Sequence, residues 1–379
     1  MVERRLGLHS RSLAAGRSGV EGPVGAGRRY DPDVTQPPAA RPDLALLLDD
    51  ELRYDATTST HLSNHLPMAL VALHALGADD ERLGAFARSY ARRLMPIDDD
   101  GEVTTFDEWL AARGRRGSYG AVRRYFDASI DRAGVDGTLR RHLPELAAGV
   151  GGGAFHGVIR LAYALEAQSA PRIAAGLAYF TEVFLPLGHR GHGSPWTRDP
   201  IVALRQLCDI DALARISTGA NIGQRMRLVG SHPSFAGVID SLAVDEGTPA
   251  ALTAAAVALY AATDDFTALH GVTGSHAISI IAPYVEDRDT LVAHWFQALA
   301  AAYMTIGAPR IRPPEGPLLM LIEDPPDWDA IASSACTSPD EHVIKLVYTA
   351  RELDRRREDP LLAAVAARQA GLGPAGASS

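Results

Sequence analysis

The chain has 379 residues, 46% hydrophobic and 22% charged, with a formal net charge of −9, so it can bury a sizeable core. The acid excess leaves no basic footprint for nucleic acid or an anionic membrane, and two cysteines make neither a disulfide framework nor a thiolate metal site. No run of about 18 apolar residues could cross a bilayer, and the N-terminus has no apolar leader core, so a cytoplasmic protein is expected.

Residues 1 to 42, rich in Gly, Pro and Arg ("EGPVGAGRRYDPDVTQPPAARPD"), are expected to form a flexible arm, and residues 371 to 379 ("GLGPAGASS") a flexible tail. Between them, residues 43 to 370 predict one all-α domain, because Ala and Leu dominate and apolar residues recur at helical spacing. In chain order the clearest helices are "LPMALVALHALGA", "ERLGAFARSYARRL", "GVIRLAYALEA", "PRIAAGLAYFTEVF", "PAALTAAAVALYAA" and "DTLVAHWFQALAAAYM". Breaks are expected at "AAGVGGGAF", "LGHRGHGSPW", "SHPSFAG" and "APRIRPPEGP", none of which reads as an interdomain linker.

The histidines separate by helix phase. Asn64 is placed to cap a helix with Pro67 in its first turn, which puts His65 at a helix start. His74, about half a revolution round, faces away from it. His156 follows a glycine run at the head of an apolar helix, with Arg160 and Tyr163 on its face. That run matches G-x-G-x-x-A, but what precedes it reads as helix, not the strand a dinucleotide fingerprint needs. His270 and His276 point about 120° apart on a continuous helix, so one of them is expected in any given site. His9 and His142 are expected to be solvated, His189 and His192 to lie in a loop, and His232 and His294 to be structural.

"SPDEHVIK" reads as a helix start, with Ser338 as N-cap, Pro339 at the first helical position and Glu341 closing a capping box. His342 and Lys345 then share a face. Lys345 is the sole lysine beside 36 arginines, and it lies among apolar neighbours. Arginine stays protonated, so it cannot replace lysine where a neutral amine must attack a carbonyl or take up carbon dioxide. A lysine left over by arginine-rich composition is the plainer reading.

The stretches "NHLPMALVALHALGA", "GAFHGVIRLAYALE", "HGVT" and "DEHVIK", in that order, resemble the questin oxidase-like family. The resemblance implies an oxygenase that breaks a ring carbon–carbon bond of an anthraquinone-type aromatic polyketide. It also implies a non-haem iron centre held by His65, His156, His270, His342 and a carboxylated Lys345, with O₂ as co-substrate. Two departures stand out: fungal members often carry further histidines where Met68 and Arg160 stand here.

Imidazoles with one carboxylate suit Fe(II), as they suit zinc, manganese or copper. Five protein ligands leave one octahedral position, so the phenolic substrate is expected beside the iron, its oxygens oriented by Tyr163 and Arg160. Two rival chemistries are an NADPH-dependent Baeyer–Villiger-type monooxygenase on the same substrate class and a metal-free enzyme with Lys345 as a Schiff-base amine. A helical scaffold without chemistry is the third rival. The resemblance implies a small aromatic substrate, and oligomeric state does not follow from the sequence.

Overall fold

Apolar stripes at helical spacing become helices throughout. The computed structural model describes residues 42–98, 101–188, 193–210, 213 and 221–374. The structure is 68% helical, with seventeen helices and a two-stranded sheet among these residues, and its class is all-α. The expected arm up to residue 41, the end of the expected tail, and His9, His189 and His192 lie outside the described residues.

The chain enters through α1 (Pro42–Glu51) and strand β1 (Tyr54–Thr58), which pairs antiparallel with β2 (Leu94–Pro96). Between the strands lie α2 (Leu66–Leu76) and α3 (Asp80–Ala91). Then come α4 (Phe106–Ala112), the long α5 (Tyr119–Leu146), α6 (His156–Glu166) and α7 (Ala170–Glu182). Shorter helices follow: α8 (Pro200–Cys208), α9 (Ile222–Gly230) and α10 (Pro233–Ile239). The last part holds α11 (Thr248–Thr263), α12 (Phe266–Ile281), α13 (Arg288–Thr305), α14 (Pro317–Glu323), α15 (Trp328–Thr337), α16 (Glu341–Arg357) and α17 (Pro360–Gln369).

All six stretches singled out by periodicity are helical. The expected break at "SHPSFAG" is instead a short helix, α10, with Pro233 as its first residue, where a missing N–H costs nothing. The small sheet carried no signal strong enough to be expected.

Four helices position the site. α2 packs on α6, α6 on α12, α12 on α16, and α16 on α2, closing a ring. One continuous apolar core, reaching from Leu44 to Ala367, surrounds it.

Candidate metal centre

Each helix of the ring brings its polar group from near its N-terminal end. Before α2, the Asn64 side-chain oxygen accepts from Leu66 N at 3.0 Å, and its amide donates to Glu51 Oε1 at 2.9 Å. This places His65 at the N-cap, where its backbone N–H donates to the Tyr90 hydroxyl at 3.0 Å.

His156 opens α6 after a tight turn in which Gly153, Ala154 and Phe155 take φ of 59°, 52° and 70°. Two non-glycine residues held left-handed in succession are costly and need a surrounding structure that over-determines them. Phe155 supplies part of it, being fully buried with its ring 5.0 Å from that of Trp295. Just before the turn, a Cβ on Gly152 would lie 2.1 Å from the Val183 carbonyl oxygen, so the glycine run is there for close packing. It follows helix and a 3-10 turn, not a strand, and therefore lacks the dinucleotide-binding context.

α12 is capped by Asp265, whose carboxylate accepts from Thr267 N and Ala268 N, and it carries His270 in its second turn. α16 is capped by Asp340, not Ser338: the Asp340 carboxylate accepts from His342 N at 2.8 Å. Ser338 is instead the C-cap of α15, and Arg82 donates to the carbonyls of Cys336 and Ser338. That contact ties Ser338 to the preceding helix.

The four imidazoles converge. His65 stacks on His156 with centroids 4.5 Å apart, and His156 lies 4.6 Å from His270. His342 lies 4.8 Å from His65 and 5.4 Å from His270. Ligand atoms of His65, His156 and His342 fall within 4.8 Å of one another.

Every Nδ1 faces an acceptor: Glu341 Oε1 at 3.3 Å for His65, Gly153 O at 2.6 Å for His156, Phe266 O at 2.7 Å for His270 and Asp340 Oδ1 at 3.0 Å for His342. All four Nε2 atoms are buried without a hydrogen-bond partner, and so is Lys345 Nζ. A neutral histidine that donates from Nδ1 presents a bare lone pair at Nε2, which is the arrangement of a metal ligand. Five orphaned polar atoms in one apolar core would otherwise be a large uncompensated cost.

Electrostatics disfavour charge on three of the rings and on the lysine. Burial, then the charges of Lys345 and the neighbouring rings, pushes His65 and His270 well below the usual histidine range. His156 is pushed the same way by burial, then by His270 and Lys345. Lys345, 0% exposed, is lowered by desolvation to about 7, against the opposing pull of Glu341 and Asp340.

His276 and His74 sort as helix phase requires. His276 turns away from the cluster and bonds through Nε2 to Glu166 Oε1 at 2.8 Å. His74 is buried and outside the ring contacts of the cluster. His142, expected to be solvated, is 1% exposed; it bonds to the Tyr125 hydroxyl at 2.9 Å and sits among Phe106, Trp109 and Phe126. Its charged sequence neighbours concealed the aromatic nest that folding brings to it.

Arg160 is 3% exposed, and its guanidinium binds Glu51 Oε1 at 2.8 Å and Asn64 O at 3.3 Å. Tyr163 packs on Tyr348 with centroids 5.4 Å apart, and burial pushes its phenol well above the usual range. Arg160, Tyr163 and Met68 line one narrow void with Leu48, Glu51 and Pro67, so both departures from the fungal pattern fall on the same wall.

Two contributors went unrecognised in the sequence. Glu341, read as a capping residue, backs His65, and Phe266, 51% exposed, lays its ring 4.5 Å from His270 and 4.6 Å from His342. The i−4 spacing of Phe266 from His270 was the available signal.

Comparison with known proteins agrees with the motifs. A search of curated proteins gives no match. A family model described as questin oxidase-like matches residues 62–183 and 226–350, segments that contain all four histidines and Lys345. The chain therefore belongs to the questin oxidase-like family, oxidoreductases of aromatic polyketide metabolism.

Proposed function

We propose that this oxidoreductase is a non-haem iron-dependent oxygenase that cleaves a ring carbon–carbon bond of an anthraquinone-type aromatic polyketide. In this reading His65, His156, His270, His342 and a carboxylated Lys345 hold Fe(II). One observation carries it: four bare Nε2 atoms on adjoining rings and one unpartnered amine are buried in the same core. The donor set fits, since imidazoles with a carboxylate suit iron(II). When bound, iron supplies the activation of O₂ that a closed-shell aromatic cannot provide.

The protein's own part begins at Lys345. Its neutral Nζ adds to the carbon of CO₂ and releases one proton, leaving a carbamate whose charge offsets that of a cation. Burial makes the neutral amine accessible near pH 7. The four imidazoles, each held in one tautomer by its Nδ1 acceptor, offer Nε2 without losing a proton.

Phe266 marks the open side of the cluster, where a flat aromatic can stack against its ring beside His270 and His342. Tyr163 is the group left to meet a substrate oxygen. Arg160 acts through the backbone it holds, one residue before His65.

Metal analysis of the purified protein tests the reading, with about one first-row ion per chain expected. Oxygen uptake with a hydroxyanthraquinone or its hydroquinone should follow the iron content, and full activity after stringent iron removal would defeat the proposal. The depressed amine also favours a Schiff-base enzyme. Borohydride trapping of substrate on Lys345 is the outcome that would support that reading instead.

A further inference from the structure

The four Nδ1 acceptors are of two kinds. His156 and His270 donate to neutral carbonyls, Gly153 O and Phe266 O. His65 and His342 face carboxylates: Glu341, the first residue of α16, and Asp340, its N-cap. Asp340 has another duty, capping the helix, and its side chain is 54% exposed. Glu341 has no capping bond, and its side chain is only 12% exposed.

We infer that Glu341 is a positioning residue of the metal centre, fixing the tautomer of His65 and raising the electron density that His65 Nε2 donates. The inference rests on the metal reading above. A carboxylate draws the Nδ1 proton more strongly than a carbonyl, gives the ring partial imidazolate character and stabilises a trivalent ion more than a divalent one. Glu341 Oε2 lies 3.7 Å from Arg93 Nη1, but the Arg93 side chain is 61% exposed, so this solvated pair neutralises little of the charge. The 3.3 Å separation between His65 Nδ1 and Glu341 Oε1 is long for a charge-assisted bond, typically about 2.7–2.9 Å. Metal on Nε2 makes Nδ1–H a stronger donor, so the contact should contract on loading.

The test compares the parent with Glu341→Gln and Glu341→Ala, each checked for intact folding by thermal unfolding. Competition binding of Co(II) reads affinity, and redox titration of the iron form reads the Fe(III)/Fe(II) midpoint. Glu341→Ala should lose about 10–100-fold in divalent-ion affinity. Glu341→Gln keeps an acceptor without its charge, so Co(II) affinity should stay within about tenfold of the parent. Its midpoint should rise, by about 59 mV for each tenfold loss of Fe(III) over Fe(II) binding.

An unchanged midpoint in Glu341→Gln overturns the inference, whatever the alanine variant does, because a merely structural contact would not move a potential. If the alanine variant does not fold, the glutamine variant alone carries the test. A parent that binds no first-row ion overturns the metal reading and this inference with it. A parent that binds while the glutamine midpoint stays fixed overturns only the inference.

Discussion

At position 345 the chain keeps an amine where burial lowers its pKa to about 7, and arginine in that place would remain a cation. Lys345→Arg should therefore lose iron by about tenfold or more, read as metal content after purification, with oxygen uptake lost in parallel. Lys345→Ala supplied with a short-chain carboxylic acid should regain part of its metal. Glu182 tests the electrostatics away from the centre. Burial raises its pKa from 4.5 to about 7, although it accepts from Gly117 N. Because the folded state holds this proton more tightly, stability falls as pH rises from about 4.5 to about 7, and the deficit is complete above that. Glu182→Gln, which keeps the acceptor, should therefore gain stability over the parent as pH climbs through that window, read as the difference in urea midpoint. Helix phase set His65 apart from His74 and His270 from His276, but which of them to gather with His156, His342 and Lys345 came from the family motifs. Glu341 and His142 were not, because each takes its role from residues distant in sequence.

The joint between α1 and α6 is where an element-scale prediction belongs. Glu51 ends α1 at 1% exposure and accepts from both Arg160 and Asn64. Removing one member of a buried ion pair leaves the other charge uncompensated, a loss of about 3–5 kcal/mol. Glu51→Ala should show that loss in denaturant unfolding, together with weaker metal binding through the loosened segment before His65. Replacing Glu51 and Arg160 together by apolar residues should recover much of the stability but not the register of Asn64. Element positions followed from periodicity because each stripe packs on one core. Cap positions were less legible: "SPDEH" contains two competent caps, Ser338 and Asp340. Arg82 decides between them by holding the end of α15, and nothing local to the pentapeptide announces it.

Over the whole molecule, the proposed ligands, from residues 65 to 345, come from helices far apart in the chain, so an ion binding only the folded state should stabilise it globally. At a free ion concentration about 1,000 times the dissociation constant, the gain is about 4 kcal/mol. Differential scanning calorimetry of metal-free parent with added Fe(II) or Co(II) should show a rise in Tm that His156→Ala abolishes; equal shifts in both would mean the ion binds elsewhere. The ring of α2, α6, α12 and α16 was not legible, because periodicity says which face is buried but not against which neighbour. The solitary lysine has a practical corollary at this scale. Among 379 residues only one side chain is a primary amine, and it is sealed in the core. An acylating reagent applied to the native protein, with the α-amino group scored separately by peptide mapping, becomes a clock for the opening of a single helix. Its rate measures how often α16 exposes its inner face, and any cation that bridges the ring should slow that clock.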